Sequence, residues 1–252
     1  MNFSGISDKS LTGKLLRTPL RLIPSEAALP ILQGRLRGRR WIVGSSNHGC
    51  WLGSYEYAKR VLFERWVRRG SVGFDIGANV GFYTLLASVL VGDRGRVMAF
   101  EPVPRNLRYL RAHLQMNQLA NVTVLEAAVS DAEGECRFDE GAGNSVGHIS
   151  AEGRLRVKVV TIDSLVSRGE LPPPTHMKID VEGAEVGVLC GATATLAAHR
   201  PTLFLASHGK DLHRQCCDLL RAQGYHLEPI AAASLDQTDE ILAYVPASAV
   251  AL

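Results

Sequence analysis

The residues whose types and spacing could do chemistry fall in short stretches that mix glycine with acidic side chains. The first is Asp75-Ile-Gly77-Ala-Asn79-Val-Gly81, which ends the apolar run VGF and opens a second apolar run from Phe82 to Val91. A strand passing through such a loop into a helix leaves free N–H groups at the helix start, and Gly77 and Gly81 let backbone approach a ligand closely. It is not the dinucleotide fingerprint GxGxxG, because Asp75 and Asn79 occupy places that need glycine, and no GxxxxGK[ST] phosphate loop occurs. A carboxylate here repels pyrophosphate but attracts a cationic ligand, such as the sulfonium and ammonium of S-adenosylmethionine. Glu101 ends the run RVMAF about twenty residues after Gly81, where its two acceptor oxygens can grip both hydroxyls of a ribose. Next, Glu126 to Asp131 (EAAVSD) falls where an adenine would lie, its edge read by backbone, Ser130 or Asp131.

Further along, MKIDVEGAE places Asp180, Glu182 and Glu185 after a short apolar run, and His208 follows the run TLFLAS. From such a donor, methyl transfer to a hydroxyl would be an in-line displacement at sulfonium that also needs the hydroxyl proton removed. His208, at the carboxyl end of its strand and titrating near neutral pH, is the first candidate base. Asp180 is the second. The bland alternatives are a histidine that caps the following helix and an aspartate that only orients cofactor or loop. Together these carboxylates and His208 could also ligate a divalent cation, which would bind vicinal hydroxyls and acidify one. Glu185 equally suits the first turn of a helix, so no metal is assigned. Methylation of a base amino group would favour an Asn/Asp-Pro-Pro-aromatic motif after MKID, and Val181-Glu182-Gly183 stands there instead. His48, Trp51 and Tyr55, upstream, could close over an acceptor by stacking on a sugar face, with core packing the alternative for Trp51.

Positioning these residues takes a particular set of elements. From Gly70 strand and helix patterns alternate: VGFDI then Phe82 to Val91, RVMAFE then Arg105 to Asn117, VTVLEAAV, MKID then Glu185 to Leu196, TLFLAS then Leu212 to Gln223. YHLEPI and ILAYVP read as closing strands. The alternation predicts an α/β fold, a doubly wound, mostly parallel, seven-stranded sheet. ECRFDE and RLRVKVVTI read as extra antiparallel strands flanking the glycine-rich stretch from Gly141 to Gly153, a plausible substrate-side loop. Residues 29–44 read as a hairpin around a Gly/Arg turn, and Ser54 is expected to cap a helix to about Arg69 with Val61, Leu62, Trp66 and Val67 on its apolar face. The expected organisation is an N-terminal basic segment, hairpin and lid helix over 1–69 and a catalytic unit over 70–252, working as one structural unit.

With 252 residues, 46% hydrophobic and 21% charged, the chain can bury a core without staples, which excludes disordered and disulfide-scaffold classes. Five cysteines form no CxxC pair and are expected to be reduced thiols. The net charge is +3, yet residues 1–40 hold eight Lys/Arg against Asp8 and Glu26. That basic segment is expected to dock an anionic acceptor or carrier, so that deleting residues 1–28 spares donor binding, and the catalytic fold is expected to begin near Trp41. Arg35, Arg37, Arg39 and Arg40 are either a solvated hairpin or an anion-binding surface. The charge elsewhere does not favour nucleic acid as partner. The longest apolar stretch, Gly81 to Gly92, is too short to span a bilayer, Lys9, Lys14, Arg17 and Arg21 interrupt any leader-like core, and a cytoplasmic location is expected. The oligomeric state stays open, a homo-oligomer included.

FDIGANVGFYTLLAS, GRVMAFEPVPRNLRYLRAHLQMNQL, NVTVLEAAVSD and MKIDVEGAEVGVLCGA, in that order, together with WLGSYE at residues 51–56, resemble the FkbM family of S-adenosylmethionine-dependent methyltransferases. The resemblance runs from about Trp41 to Tyr225 and is most specific at KIDVEGAE. It implies a class I methyltransferase, Rossmann-like fold and O-methylation of a hydroxyl on a sugar, glycan or polyketide-type molecule. By position it implies that Asp75, Gly77, Asn79 and Gly81 surround the methionine part, Glu101 the ribose, and Asp180 the active centre. Where many relatives end the next strand with a Glu-containing segment, this chain has Phe204-Leu-Ala-Ser-His208-Gly209. Methylation of RNA or another macromolecule, and a non-catalytic module that senses adenosylmethionine, are the competing readings.

Overall fold

The computed structural model describes residues 19–139, 148–149 and 153–246. The basic residues before position 19 and most of the stretch from Gly141 to Gly153 lie outside the described residues.

The strands are β1 (Ala28–Pro30), β2 (Arg40–Ile42), β3 (Val72–Ile76), β4 (Arg96–Phe100), β5 (Val122–Leu125), β6 (Ala128–Val129), β7 (Gly134–Asp139), β8 (His148–Ile149), β9 (Leu155–Val160), β10 (His176–Ile179), β11 (Thr202–Ala206), β12 (His226–Pro229) and β13 (Glu240–Tyr244). The helices are α1 (Gly49–Leu52), α2 (Tyr57–Trp66), α3 (Phe82–Val91), α4 (Pro104–Met116), α5 (Ile162–Ser167), α6 (Glu185–Cys190), α7 (Thr193–His199) and α8 (Lys210–Ala222). A seven-stranded sheet runs β12-β13-β11-β10-β3-β4-β5 and is parallel except at β13, which is antiparallel to both β11 and β12. Its inner strands are buried along nearly their whole length, as expected where helices cover both faces. The chain winds from β3 outward through β4 and β5, then returns to add β10 and β11 on the other side of β3. That reversal opens a crevice at the carboxyl ends of β3 and β10.

Local chemistry divides two runs expected to be continuous. VTVLEAAV becomes β5 in the large sheet and β6 in a small sheet of order β6-β9-β7-β8, in which β7 and β9 are antiparallel. The break falls at Glu126, whose carboxylate turns outward to Arg111. The helix expected from Glu185 to Leu196 breaks at Gly191, where a Cβ would meet the Ser130 carbonyl oxygen at 2.0 Å. Asp163 then restarts it by accepting from the N–H groups of Ala194 and Thr195 at 2.9 and 2.7 Å, a cap supplied from outside the helix.

The expected hairpin is present as antiparallel β1 and β2. Trp41, fully buried, stacks on the His113 ring at 3.8 Å between centroids. The Ile42 N–H donates to His113 Nε2 at 3.1 Å, so Nδ1 carries the proton and donates to the Val80 carbonyl at 2.8 Å. Through this histidine the hairpin is tied to the loop between β3 and α3. Ile31 and Leu36 already belong to the core shared with Phe82, Leu85 and Phe204, so the packed structure begins before Trp41. Helix α2 starts at Tyr57, later than Ser54, and buries Lys59, Arg60 and Phe63 while Val61 is 42% exposed. Val67 is buried and Leu62 and Trp66 pack against the core as expected, while Lys59 also reaches inward, to Glu56 and Glu240 at 2.5 and 2.6 Å. Among the described residues, no helix is long and apolar enough to cross a membrane.

Candidate active site

A cavity of about 250 Å³ lies along the carboxyl ends of β3, β4, β10 and β11, roofed by the start of α2 and by the small sheet. Gly77 forms its floor with φ +76°, and a Cβ there would lie 1.9 Å from the Asp180 carbonyl oxygen, so only glycine permits the two strand ends to approach. The N–H groups of Gly77 and Ala78 donate to the Phe100 carbonyl at 3.1 and 2.9 Å. Asn79, also at positive φ, gives its N–H to Glu101 Oε2 at 2.7 Å. Glu101 Oε1 accepts from the Val103 N–H at 2.9 Å and from Asn106 Nδ2 at 3.2 Å. Burial raises the Glu101 carboxyl above its ordinary pKa, and these hydrogen bonds act the other way.

Toward β10, the Lys178 ammonium donates to the Gly77 carbonyl at 2.7 Å and lies 3.4 Å from Asp75 Oδ1 and 3.6 Å from Asp180 Oδ2. Thr84 Oγ1 donates to Asp75 Oδ2 at 2.5 Å. Burial would raise the Asp180 carboxyl, but Lys178, Lys59 and His208 hold it below its usual range. Beyond Asp180, His208 Nδ1 donates to Glu185 Oε1 at 2.7 Å, and its Nε2 lies 3.3 Å from Glu182 Oε2 and 3.8 Å from Asp180 Oδ1. The hydrogen bond to Glu185 outweighs burial and, with the neighbouring carboxylates, raises the imidazole to about 9. Glu185 also accepts from the Gly183 N–H at 3.0 Å. Asp180, Glu182 and His208 offer ligand atoms that all lie within 4.8 Å of one another.

Of the residues singled out by sequence, Gly77, Asn79, Gly81, Glu101, Asp180, Glu182, His208 and Tyr55 line this one cavity. Others do not. Asp75 is buried beneath the floor, its carboxylate committed to Thr84 and Lys178. Trp51 is 5% exposed, the packing alternative for this ring, and donates from Nε1 to His48 Nδ1 at 3.0 Å; neither residue lines the cavity. Asp131 accepts from Ser130 Oγ outside the cavity, whose wall in that region is made by Ala127 to Val129 and Phe138. The arginines of the hairpin are partly structural, Arg39 donating to the Asn117 carbonyl at 3.3 Å and Arg40 to the Ala28 carbonyl at 3.1 Å.

Sequence reasoning missed Lys178, Lys59, Glu56 and Glu240, all of which line the cavity. Lys178 carried a readable signal, a charge inside HMKI, a strand buried at every position. Such a lysine needs counter-charges. Lys59 carried none, since a lysine on an amphipathic helix ordinarily faces water.

A mostly parallel sheet of this strand order, with a glycine loop after its first strand and an acidic residue ending the second, defines a class I S-adenosylmethionine-dependent methyltransferase. Residues 75–227 match the model of the methyltransferase FkbM domain, and the chain belongs to that family. Over 139 residues it is 32% identical to the hexuronic acid methyltransferase AglP of Haloferax volcanii, an alignment covering 54% of this chain and 56% of that protein. The chain thus aligns with little more than half the length of this curated relative. The crystal structure of methyltransferase FkbM from Methylobacillus flagellatus superposes with a TM-score of 0.51 at 17% identity, covering 79% of this chain and 55% of the other, and supports the fold.

Proposed function

We propose that the enzyme methylates a hydroxyl of a sugar or glycan-linked acceptor, with the N-terminal segment (1–69) and the methyltransferase unit (70–252) acting as one structural unit. The observation that carries this reading is the continuity of a single cavity from Glu101, past Gly77, to Asp180 and His208. S-adenosylmethionine would be held along its first half, with Glu101 on the ribose hydroxyls, Ala127 to Val129 and Phe138 beside the adenine, and the Gly77–Gly81 loop on the methionine part. Asp180, held ionised, favours the positive charge of the donor there.

When bound, S-adenosylmethionine would supply its methyl group to an acceptor hydroxyl in the second half, the carbon–sulfur bond breaking as the carbon–oxygen bond forms and the sulfur leaving as the neutral thioether of S-adenosylhomocysteine. His208 Nε2 receives the hydroxyl proton. Glu185 on Nδ1 fixes the ring and its tautomer, as the carboxylate partner of a catalytic histidine does. Tyr55, Glu56 and Glu240 supply the rest of the acceptor wall. A sugar acceptor is supported by the 32% identity to a hexuronic acid methyltransferase. The test is mass spectrometry over a panel of hexuronic acids, neutral sugars, other hydroxyl metabolites and RNA, reading the mass gain of one methylene group. Methylation of RNA with no sugar product would refute the proposal.

A second reading is favoured by the common reach of Asp180, Glu182 and His208. A divalent cation held by these three would bind and acidify the acceptor hydroxyl in place of a free base. Loss of turnover in chelator, restored by magnesium or manganese, would favour it.

A further inference from the structure

The register of the sheet places Lys178 on β10 directly opposite Asp75 on β3, at the two strand ends between which the crevice opens. Lys178 is 5% exposed and Asp75 2%. An ammonium so buried is costly unless its donors are used and its charge is balanced. The donors converge on one structure. Lys178 gives a hydrogen bond of 2.7 Å to the Gly77 carbonyl, the peptide at the base of the glycine loop, and stands 3.4 and 3.6 Å from Asp75 and Asp180. Independently, the absence of a side chain at Gly77 brings that loop onto the Asp180 backbone, where a Cβ would sit 1.9 Å from the carbonyl oxygen. The same side chain therefore touches the floor of the donor half and the first acid of the acceptor half.

We propose that Lys178 is a positioning residue for the methionine half of the donor site, pinning the Gly77 peptide and holding Asp180 in place so that the sulfonium meets a preformed floor. The proposal rests on the donor assignment made above. Burial alone would lower the pKa of the ammonium, but the neighbouring carboxylates, Asp180 and Asp75 foremost, more than offset this and hold Lys178 charged. Without it, Gly77 loses the donor to its carbonyl, and Asp75 and Asp180 lose the ammonium that stands 3.4 and 3.6 Å from them. The adenosine half is held by Glu101 from the neighbouring strand, on which Lys178 acts only through its charge and by no hydrogen bond.

That division supplies the test, which needs no acceptor. Lys178→Met and the charge-balanced Lys178→Met/Asp75→Asn are purified, shown to melt cooperatively, and titrated calorimetrically with S-adenosylmethionine and with adenosine. The expected result is a weakening of about 10- to 100-fold for adenosylmethionine in both variants, the size of lost charge-assisted bonds, with adenosine changed less than about two-fold. Unchanged or tighter adenosylmethionine binding in either folded variant overturns the proposal. So does an equal loss of adenosine, which marks general collapse of the site. Glu101→Gln is the separate arm: if it leaves adenosine affinity unchanged, the donor assignment itself fails, and the role of Lys178 with it. If it weakens adenosine while the Lys178 variants bind adenosylmethionine normally, only the role of Lys178 fails.

Discussion

Glu185 Oε1 lies 2.7 Å from Nδ1 of His208, so the ring nitrogen that faces the cavity is Nε2. The glutamate is fully buried at the first turn of α6 and the histidine is about one-third exposed, an arrangement in which the buried partner orients the exposed one. A base must be neutral to accept a proton, and this imidazole is raised to about 9. Turnover under saturating donor should therefore climb with pH and level off near 9. A profile that levels at the ordinary histidine value would remove His208 from the role of base. His208→Gln should bind adenosylmethionine normally and turn over about 10² to 10⁴ times more slowly.

The same pair predicts a stability profile. The folded-state pKa of His208 lies above its unfolded value of 6.5, so the stabilisation is complete below 6.5 and is lost as pH rises through about 9. The melting temperature of the wild type should fall across that window more steeply than that of His208→Gln. Parallel curves would show that the imidazolium contributes nothing.

On the acid side His113 and His176 act in the opposite sense. Burial lowers both to about 4, so each is neutral in the folded protein while the unfolded chain takes up protons from about 6.5 downward. Stability should decline as pH falls from 6.5 toward 4, and His113→Gln should reduce that slope. An unchanged slope in this variant would show that His113 does not contribute to the acid sensitivity.

Glu101 accepts from the N–H groups of Asn79 and Val103 and from Asn106 Nδ2 and, in the proposed complex, also from the ribose. Glu101→Gln keeps the shape but loses the charge, and should cost about 1 to 3 kcal/mol of adenosylmethionine binding by calorimetry. A folded variant with wild-type affinity would place the ribose elsewhere.

At the N-terminus, Ser25 and Ala27 accept from the N–H groups of Gly44 and Val43 at 2.7 and 2.9 Å. Truncation should therefore spare these residues. Deleting residues 1–18 is expected to leave the melting temperature and donor affinity intact, and to weaken an anionic acceptor in a manner that salt abolishes. Trp41→Ala, by contrast, empties a fully buried site and should cost about 3 to 5 kcal/mol in denaturant unfolding. A wild-type acceptor Michaelis constant at low salt after the deletion would leave Lys9, Lys14 and Arg17 without a docking role.

What the sequence determined by itself is what depends on neighbours along the chain. Apolar runs ending in Asp75-Ile-Gly77 and in Glu101, alternating with helical periodicity, define strands, crossovers and the edge of the sheet that binds ligands, because such patterns are set by side-chain alternation and backbone freedom over a few residues. The contacts at the heart of the site are of another kind. Lys178 and the Gly77 carbonyl are 101 positions apart, and Glu185 and His208 are 23 apart. Whether the Asp75 carboxylate faces a ligand or an ammonium depends on the register of β3 against β10, which no local pattern encodes. Likewise the inward turn of Lys59 on α2 depends on Glu240, which the closing strand β13 brings within 2.6 Å of it. A buried charge takes its meaning from the counter-charge that folding places beside it, and that pairing exists only in the tertiary structure.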